Sequence, residues 1–278
     1  MDNPIGIFDS GLGGISVWID LIKQLPKQHF IYVADSANCP YGEKSKEEIQ
    51  KLSQNIVNFL IKKGCKMIVI ACNTATSAAI QLLRENFLDI YFIGIEPATK
   101  PAALHTKTGK IGVLATKSTL NGDLFQQTKE KFAQNIEVLV QIGEGLVELV
   151  EQNKVESQKS FELLEQYLLP MLAKKADFIV LGCTHYPFLM PIIEKIVKNK
   201  AIILNPASAV ARQTEKILLE NKLENNIENK YSYSSSKKMY EFFTSGKIEL
   251  LTEFVYKYSP IVLDKENSFF GEVFYPEN

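Results

Sequence analysis

Asp177-Phe178-Ile179-Val180-Leu181-Gly182-Cys183-Thr184-His185-Tyr186 decides how the chain is read, because Lys66-Met67-Ile68-Val69-Ile70-Ala71-Cys72-Asn73-Thr74-Ala75 says nearly the same thing earlier. In each stretch an apolar run of buried-strand type ends in a small residue and a cysteine, and a Thr-containing turn then opens a helix. Open α/β sheets place their ligands beyond the carboxyl ends of the strands. The repeat therefore predicts two similar halves, each presenting one thiol at a strand end, and two thiols facing one cleft form a pair of acid/base groups.

Working outward, further β-branched runs of the same type lie at Ile5 to Phe8, Phe30 to Ala34, Tyr91 to Ile95, Ile111 to Ala115, Ile136 to Ile142 and Ala201 to Leu204. Helix-length amphipathic segments separate them, among them Ser45 to Lys63, Ser118 to Phe132, Ser157 to Lys174 and Ala207 to Leu219. Such alternation is the mark of parallel sheets with helices on both faces. The halves also begin alike, Pro4-Ile5-Gly6-Ile7-Phe8-Asp9-Ser10 against Lys110-Ile111-Gly112-Val113-Leu114-Ala115-Thr116. Buried strands resemble one another by chance; a cysteine at the matching strand end of each half raises the repeat above that. The expected fold is α/β, two similar, pseudo-symmetric, doubly wound domains with parallel sheets and the site in the cleft between them. The polar stretch Glu220 to Lys230 reads as a loop, Lys237 to Phe243 has a helical pattern, and Ile248 to Val255 follows.

The chain has 278 residues, enough for two domains of about 100 to 200 residues. Its formal net charge of -1, with 23% charged and 46% hydrophobic residues, supplies no global field for nucleic acid or an anionic membrane. No apolar run approaches the roughly 20 residues that span a bilayer, and the start, Met1-Asp2-Asn3-Pro4, lacks a signal-peptide pattern. A cytoplasmic protein with a small-molecule ligand is expected. Cysteines at 39, 65, 72 and 183 show none of the close pairs of zinc or redox motifs, which leaves thiol chemistry.

Cys72 precedes Asn73-Thr74 at a predicted helix start, where free amides and the helix dipole favour a thiolate or a bound carboxylate. Cys183 is followed by His185, an imidazole that can stabilise a thiolate or relay its proton, and by Pro187, suited to a first helical turn. His29 and His105 have no comparable setting. Asp9-Ser10-Gly11-Leu12-Gly13-Gly14 offers backbone amides to an anion, and Asp9 a partner for an ammonium group or a thiol. With Asp35 ending the second strand, this run also resembles a dinucleotide fingerprint, but Ser16 holds the third glycine position and Asp9 would meet the pyrophosphate. Asp35 also opens a turn-rich loop, in which Tyr41 and Gly42 offer a hydroxyl and amides to a ligand. Glu144 to Glu151 carries acids on a predicted helix.

Together Phe8-Asp9-Ser10-Gly11-Leu12-Gly13-Gly14, Pro40-Tyr41-Gly42, Ala71-Cys72-Asn73-Thr74-Ala75 and Gly182-Cys183-Thr184-His185-Tyr186-Pro187 resemble the glutamate racemases, cofactor-independent members of the aspartate/glutamate racemase superfamily. Weaker similarity continues through Asn205-Pro206-Ala207 and Phe243-Thr244-Ser245-Gly246. The resemblance implies a first domain of 1–96 with 209–278 and a second of 97–208. It implies Cys72 and Cys183 as the two bases, assisted by Asp9 and His185, with Ser10, Tyr41, Gly42, Asn73, Thr74 and Thr184 binding substrate and Thr116 and Thr119 contacting a carboxylate. Val147-Glu148-Leu149-Val150-Glu151 matches the stretch holding the family's site glutamate, which assigns Glu151 and places Glu148 second, and Asn38 stands where the family usually has Arg. No cofactor or metal is implied, a homodimer is the family's common assembly, and D-glutamate for peptidoglycan synthesis is the implied product. The short amino terminus carries no extension of the activator-dependent kind, so no activator requirement is expected.

Removing a proton from one face of Cα and returning one to the other needs two groups, because a single base would have to cross the substrate. A free thiol ionises near pH ~8.5, so a helix terminus and His185 are expected to lower one modestly. Aspartate racemisation, and a two-lobed amino-acid-binding protein without chemistry, are the competing readings.

Overall fold

The computed structural model describes residues 3–224 and 238–273. The first half contains β1 (Ile5–Asp9), α1 (Ile15–Gln24), β2 (Phe30–Ala34), α2 (Lys46–Lys62), β3 (Met67–Ile70), α3 (Asn73–Asn86), β4 (Tyr91–Gly94) and α4 (Thr99–His105). Then follow β5 (Lys110–Ala115), α5 (Lys117–Asn121), α6 (Asp123–Phe132), β6 (Glu137–Ile142), α7 (Leu146–Glu151), α8 (Gln158–Ala173), β7 (Phe178–Gly182), α9 (Met190–Val197) and β8 (Ile202–Leu204). The chain closes with α10 (Ala207–Glu220), β9 (Tyr240–Thr244), α11 (Ile248–Tyr258) and β10 (Ser268–Glu272).

The strands form two sheets, ordered β10-β9-β2-β1-β3-β4 and β6-β5-β7-β8, with every pairing parallel. The order β6-β5-β7-β8 reproduces β2-β1-β3-β4, so β7 stands in the second sheet where β3 stands in the first. Cys72 and Cys183, each just past one of these strands, therefore occupy equivalent positions. The duplication read from the cysteine blocks is a duplication of topology.

Local chemistry explains the elements. Strands β1, β2, β3 and β7 are buried along their whole length, which is why they read as unbroken Ile/Val/Phe runs rather than alternating ones. Ser45 and Glu48 close a full capping box on α2, and the Ser157 hydroxyl accepts the Ser160 amide at the start of α8. The helix expected over Ser118 to Phe132 is two helices, because Gly122 adopts an extended conformation between α5 and α6.

The tail corrects the sequence reading. Residues 240–244, placed in a helical pattern, form β9, flanked by β2 and β10; Lys237 lies outside the described residues, as do 225–230 of the expected loop. Both faces of β9 are covered, Phe242 packing on Trp18 and Phe243 on Phe59, so its Tyr-Glu-Phe-Phe-Thr run carries no strand alternation to read. Aromatic packing holds it: Trp18 on α1 meets Tyr240 and Phe242 edge-on at 5.8 and 5.1 Å, and Phe242 stacks on Phe270 at 4.9 Å. The chain thus returns to its first sheet, and α10 packs on α1 and β4. Phe188, just past β7, meets Phe254 and Tyr258 of α11 at 4.8 and 4.6 Å, joining the two halves below the site. Among the described residues no helix is long and apolar enough to cross a membrane.

Candidate active site

Four strand ends converge at the seam between the sheets. β1 delivers Asp9 and Ser10, β3 delivers Cys72, β5 delivers Thr116, and β7 delivers Cys183, Thr184 and His185. A narrow pocket is lined by Ser10, Tyr41, Gly42, Cys72, Asn73, Thr74, Thr116, Cys183, Thr184 and His185, together with Pro40 and Val147. Both cysteine blocks line the one chamber. A wider groove that includes Lys44, Lys117 and Glu148 shares Pro40, Gly42, Thr116 and Val147 with it and so marks a way in.

Cys72 caps α3, its sulfur accepting the Ala75 amide at 3.4 Å, and its thiol reaches Ser10 Oγ at 3.7 Å. The helix terminus was expected to lower this thiol. Instead burial pushes it up to about 12, with the Asp9 carboxylate adding to the rise and the Ala75 amide opposing it. Cys72 is a protonated thiol in this arrangement.

Cys183 faces a different environment: its sulfur lies 3.6 Å from His185 Nδ1. His185 Nε2 in turn lies 2.6 Å from Glu151 Oε1, which also accepts the Leu12 amide at 2.6 Å. Burial works against a charge on His185, yet its hydrogen bonds to Cys183, Cys39 and Glu151 raise its pKa well above the ordinary value. An imidazole whose protonated form is favoured beside one sulfur, and a thiol whose ionisation burial opposes at the other, make the two halves chemically unlike. Two glycines exist for this line of groups. A methyl on Gly11 would sit 2.2 Å from Glu151 Oε1, and one on Gly13 would sit 2.3 Å from His185 Nδ1.

Asp9 is fully buried, accepting the Gly11 amide and the Thr184 hydroxyl, each at 2.9 Å. Burial raises its pKa, against the pull of His185. Thr184 also accepts from the Ser16 hydroxyl through its carbonyl at 2.9 Å. Thr74 Oγ1 lies 3.0 Å from Thr116 Oγ1 and 3.4 Å from Thr119 Oγ1, and Thr116 donates to Thr119 at 2.9 Å. Thr119 stands behind Thr116, outside the residues lining the chamber. Asn73 is the most telling member: both its Nδ2 and its Oδ1 are buried without a hydrogen-bond partner. A buried amide left open costs about 1–3 kcal/mol, and here it waits beside Cys72 for a polar ligand.

Some sequence assignments are redirected. The Tyr41 ring lines the chamber, but its hydroxyl, expected to face a ligand, donates to Asp35 Oδ2 at 2.5 Å. Asp35 also accepts from Ser245 at 2.6 Å and from Asn38 at 3.0 Å, so the acid that a dinucleotide site would need for a ribose is consumed internally. Of the two candidate glutamates, Glu151 reaches His185, while Glu148 faces the outer groove with a buried Oε2 lacking a partner. Sequence reading gave no role to Val147, whose apolar side chain carries no chemical signal, or to Cys39, whose thiol lies within 4.8 Å of both His185 and Glu151.

Comparison with known proteins agrees with this fold. The family model described as Asp/Glu/hydantoin racemase matches residues 18–214. A glutamate racemase of Herpetosiphon aurantiacus is 47% identical over 217 residues, 78% of this chain and 85% of that protein. The structure of Escherichia coli glutamate racemase in complex with L-glutamate and the activator UDP-MurNAc-Ala superposes with a TM-score of 0.84 at 28% identity, covering 100% of both chains. That of Francisella tularensis glutamate racemase in complex with D-glutamate gives 0.79 at 29% identity, covering 98% of this chain and 97% of the other. The chain belongs to the Asp/Glu/hydantoin racemase family, a class of two-sheet α/β enzymes. Within that family it is an amino-acid racemase of the glutamate racemase group.

Proposed function

We propose that the protein interconverts L- and D-glutamate without a cofactor, by proton transfer at Cα between Cys72 and Cys183. The observation that carries this reading is the placement of the two thiols, at equivalent strand ends of two topologically matched sheets, on the wall of one pocket. One sulfur, as thiolate, takes the Cα proton from one face. The other, as thiol, gives a proton to the opposite face, and each turnover leaves the pair with its protonation exchanged.

His185 and Glu151 form the proton-handling arm beside Cys183. Asp9 and Ser10 stand beside Cys72, Asp9 as a counter-charge for the substrate ammonium. Carboxylates are held by the open Asn73 amide, the Thr74 and Thr116 hydroxyls, Thr184, and backbone amides at Gly42 and the α3 terminus, with Thr119 orienting Thr116 from behind. Groups as buried as Asp9, Cys72, Asn73, Thr184 and His185 act on developing substrate charge more strongly than they would in water. Lys44 and Lys117 at the outer groove suit the approach of a dicarboxylate.

The same reading takes 1–96 with 209–278 as one domain and 97–208 as the other, a cytoplasmic setting, a homodimer, and D-glutamate delivered to peptidoglycan synthesis. The test is chiral analysis of cofactor-free protein with each enantiomer of glutamate and of aspartate. Inversion of glutamate supports the reading. Inversion of aspartate alone assigns a different substrate, and binding without inversion makes the chain a non-catalytic receptor.

A further inference from the structure

Cys39 plays no part in the chemistry above, yet its sulfur, a ring nitrogen of His185 and a carboxylate oxygen of Glu151 all lie within 4.8 Å of one another. Thiolate, imidazole and carboxylate are the donor set of zinc sites, with bond lengths of about 2.0–2.3 Å, so closure by about 1 Å brings all three onto one ion. They come from three separate elements: the loop after β2, the end of α7 and the turn after β7. Cys39 is only partly buried and the Glu151 side chain is 17% exposed, whereas that of His185 is 2% exposed. An ion can therefore arrive from solvent on the Cys39 and Glu151 side.

We infer that Cys39, His185 and Glu151 form a binding site for a borderline-soft divalent cation of the zinc type, whose occupation shuts off proton transfer at Cys183. The ion takes the place of the proton that now lies between His185 Nε2 and Glu151 Oε1, 2.6 Å apart. Binding releases two protons to solvent, this one and the Cys39 thiol proton, forms metal–nitrogen, metal–oxygen and metal–sulfur bonds, and leaves thiolate and carboxylate neutralising the two positive charges, with a water in the fourth position. An imidazole bound to metal through Nε2 keeps its Nδ1 proton but cannot take up a second one, so it can no longer cycle between imidazole and imidazolium for Cys183. Metal binding stands on the geometry alone; its effect on turnover rests on the racemase reading.

The experiment is titration of chelator-treated, phosphine-reduced protein with Co²⁺ alone, read by absorbance, followed by Zn²⁺ in the racemisation assay. The expected result is a thiolate-to-cobalt charge-transfer band in the near ultraviolet, displaced by Zn²⁺ and absent from Cys39→Ser and Cys39→Ala. Zn²⁺ is expected to inhibit the unsubstituted protein reversibly. Residues that merely support a metal ligand cost about 10–100-fold in affinity when changed, so loss of the Cys39 sulfur should raise the inhibitory Zn²⁺ concentration by about tenfold or more, relative to each variant's own zinc-free rate. Glu151→Gln should weaken the cobalt band in the same direction. No band in the unsubstituted protein, or a band of full intensity in Cys39→Ser, overturns the site. Equal inhibition of both proteins by Zn²⁺ overturns its link to Cys183, and a protein without racemase turnover still answers the cobalt titration.

Discussion

His185 Nε2 and Glu151 Oε1 stand 2.6 Å apart, on a turn after β7 and at the end of α7, and the same carboxylate oxygen accepts the Leu12 amide from the loop after β1. One carboxylate thus ties both halves of the molecule to the imidazole that serves Cys183. Replacing it with a neutral amide removes one of the hydrogen bonds that hold His185 above its ordinary pKa. Glu151→Gln should lower kcat by about 10–100-fold, at the modest end of general acid–base effects, and shift the pH limb governed by His185 to lower pH. A kcat-against-pH series on variant and parent checks both; an unmoved limb would mean that the carboxylate only braces the fold.

Asn73 makes a prediction of the opposite kind for stability. Its amide is buried and unpaired, so Asn73→Ala should leave the melting temperature of the ligand-free protein unchanged or raise it. The lost hydrogen bond to a charged ligand, about 1.5–3 kcal/mol, corresponds to roughly 10–100-fold in KM. Thermal melts with and without glutamate, beside steady-state kinetics, separate the two effects.

Gly13 should tolerate no side chain. A methyl there would sit 2.3 Å from His185 Nδ1, so Gly13→Ala must push the ring away from Cys183. We expect a kcat loss of about 100-fold or more, with far-ultraviolet circular dichroism preserved. Near-normal turnover would show that the ring's present position is not the working one.

The site should also make the protein fail in alkali. His185 has its folded pKa raised above the unfolded value, so its stabilising contribution is complete below about pH 6.5 and disappears as pH rises through the folded value. Cys72, raised from an ordinary 9.0 to about 12 in the fold, adds to the loss: above the ordinary value the unfolded chain ionises this thiol while the native chain keeps it protonated. Melting temperature measured from about pH 6 to 11 should fall on the alkaline side. His185→Asn should flatten the earlier part of the fall and Cys72→Ser the later part.

The sequence exposed most of this frame because the fold repeats a buried strand ending in cysteine, and full burial leaves an unbroken Ile/Val signature at β3 and β7. Asn73, Thr74, Thr184 and His185 are legible because they follow those strands, and Asp9 and Ser10 because they stand at the end of β1, whereas Thr116, after β5, is assigned only through the family resemblance. What escaped depends on contacts distant in sequence. The strand at 240–244 is an interior one, paired with β2 near the start of the chain and with β10 near its end, and its aromatic residues make no alternating pattern. Tyr41 turns its hydroxyl to Asp35 because Asp35 collects three donors, including Ser245 from the far end of the chain. The rise at Cys72 reflects how tightly the chamber closes over it, which no helix-terminus argument reveals. Cys39 meets His185 only once the loop after β2 is folded across the seam.

The two-thiol account is tested most directly by proton NMR of L-glutamate turned over in D2O, sampled while most substrate remains. If Cys72 and Cys183 act from opposite faces, the D-glutamate formed carries deuterium at Cα, delivered by a solvent-equilibrated thiol, while the remaining L-glutamate keeps its α-proton. D-glutamate that retains the substrate's own α-proton in the first turnovers would mean that one group carries the proton across, and would contradict the account.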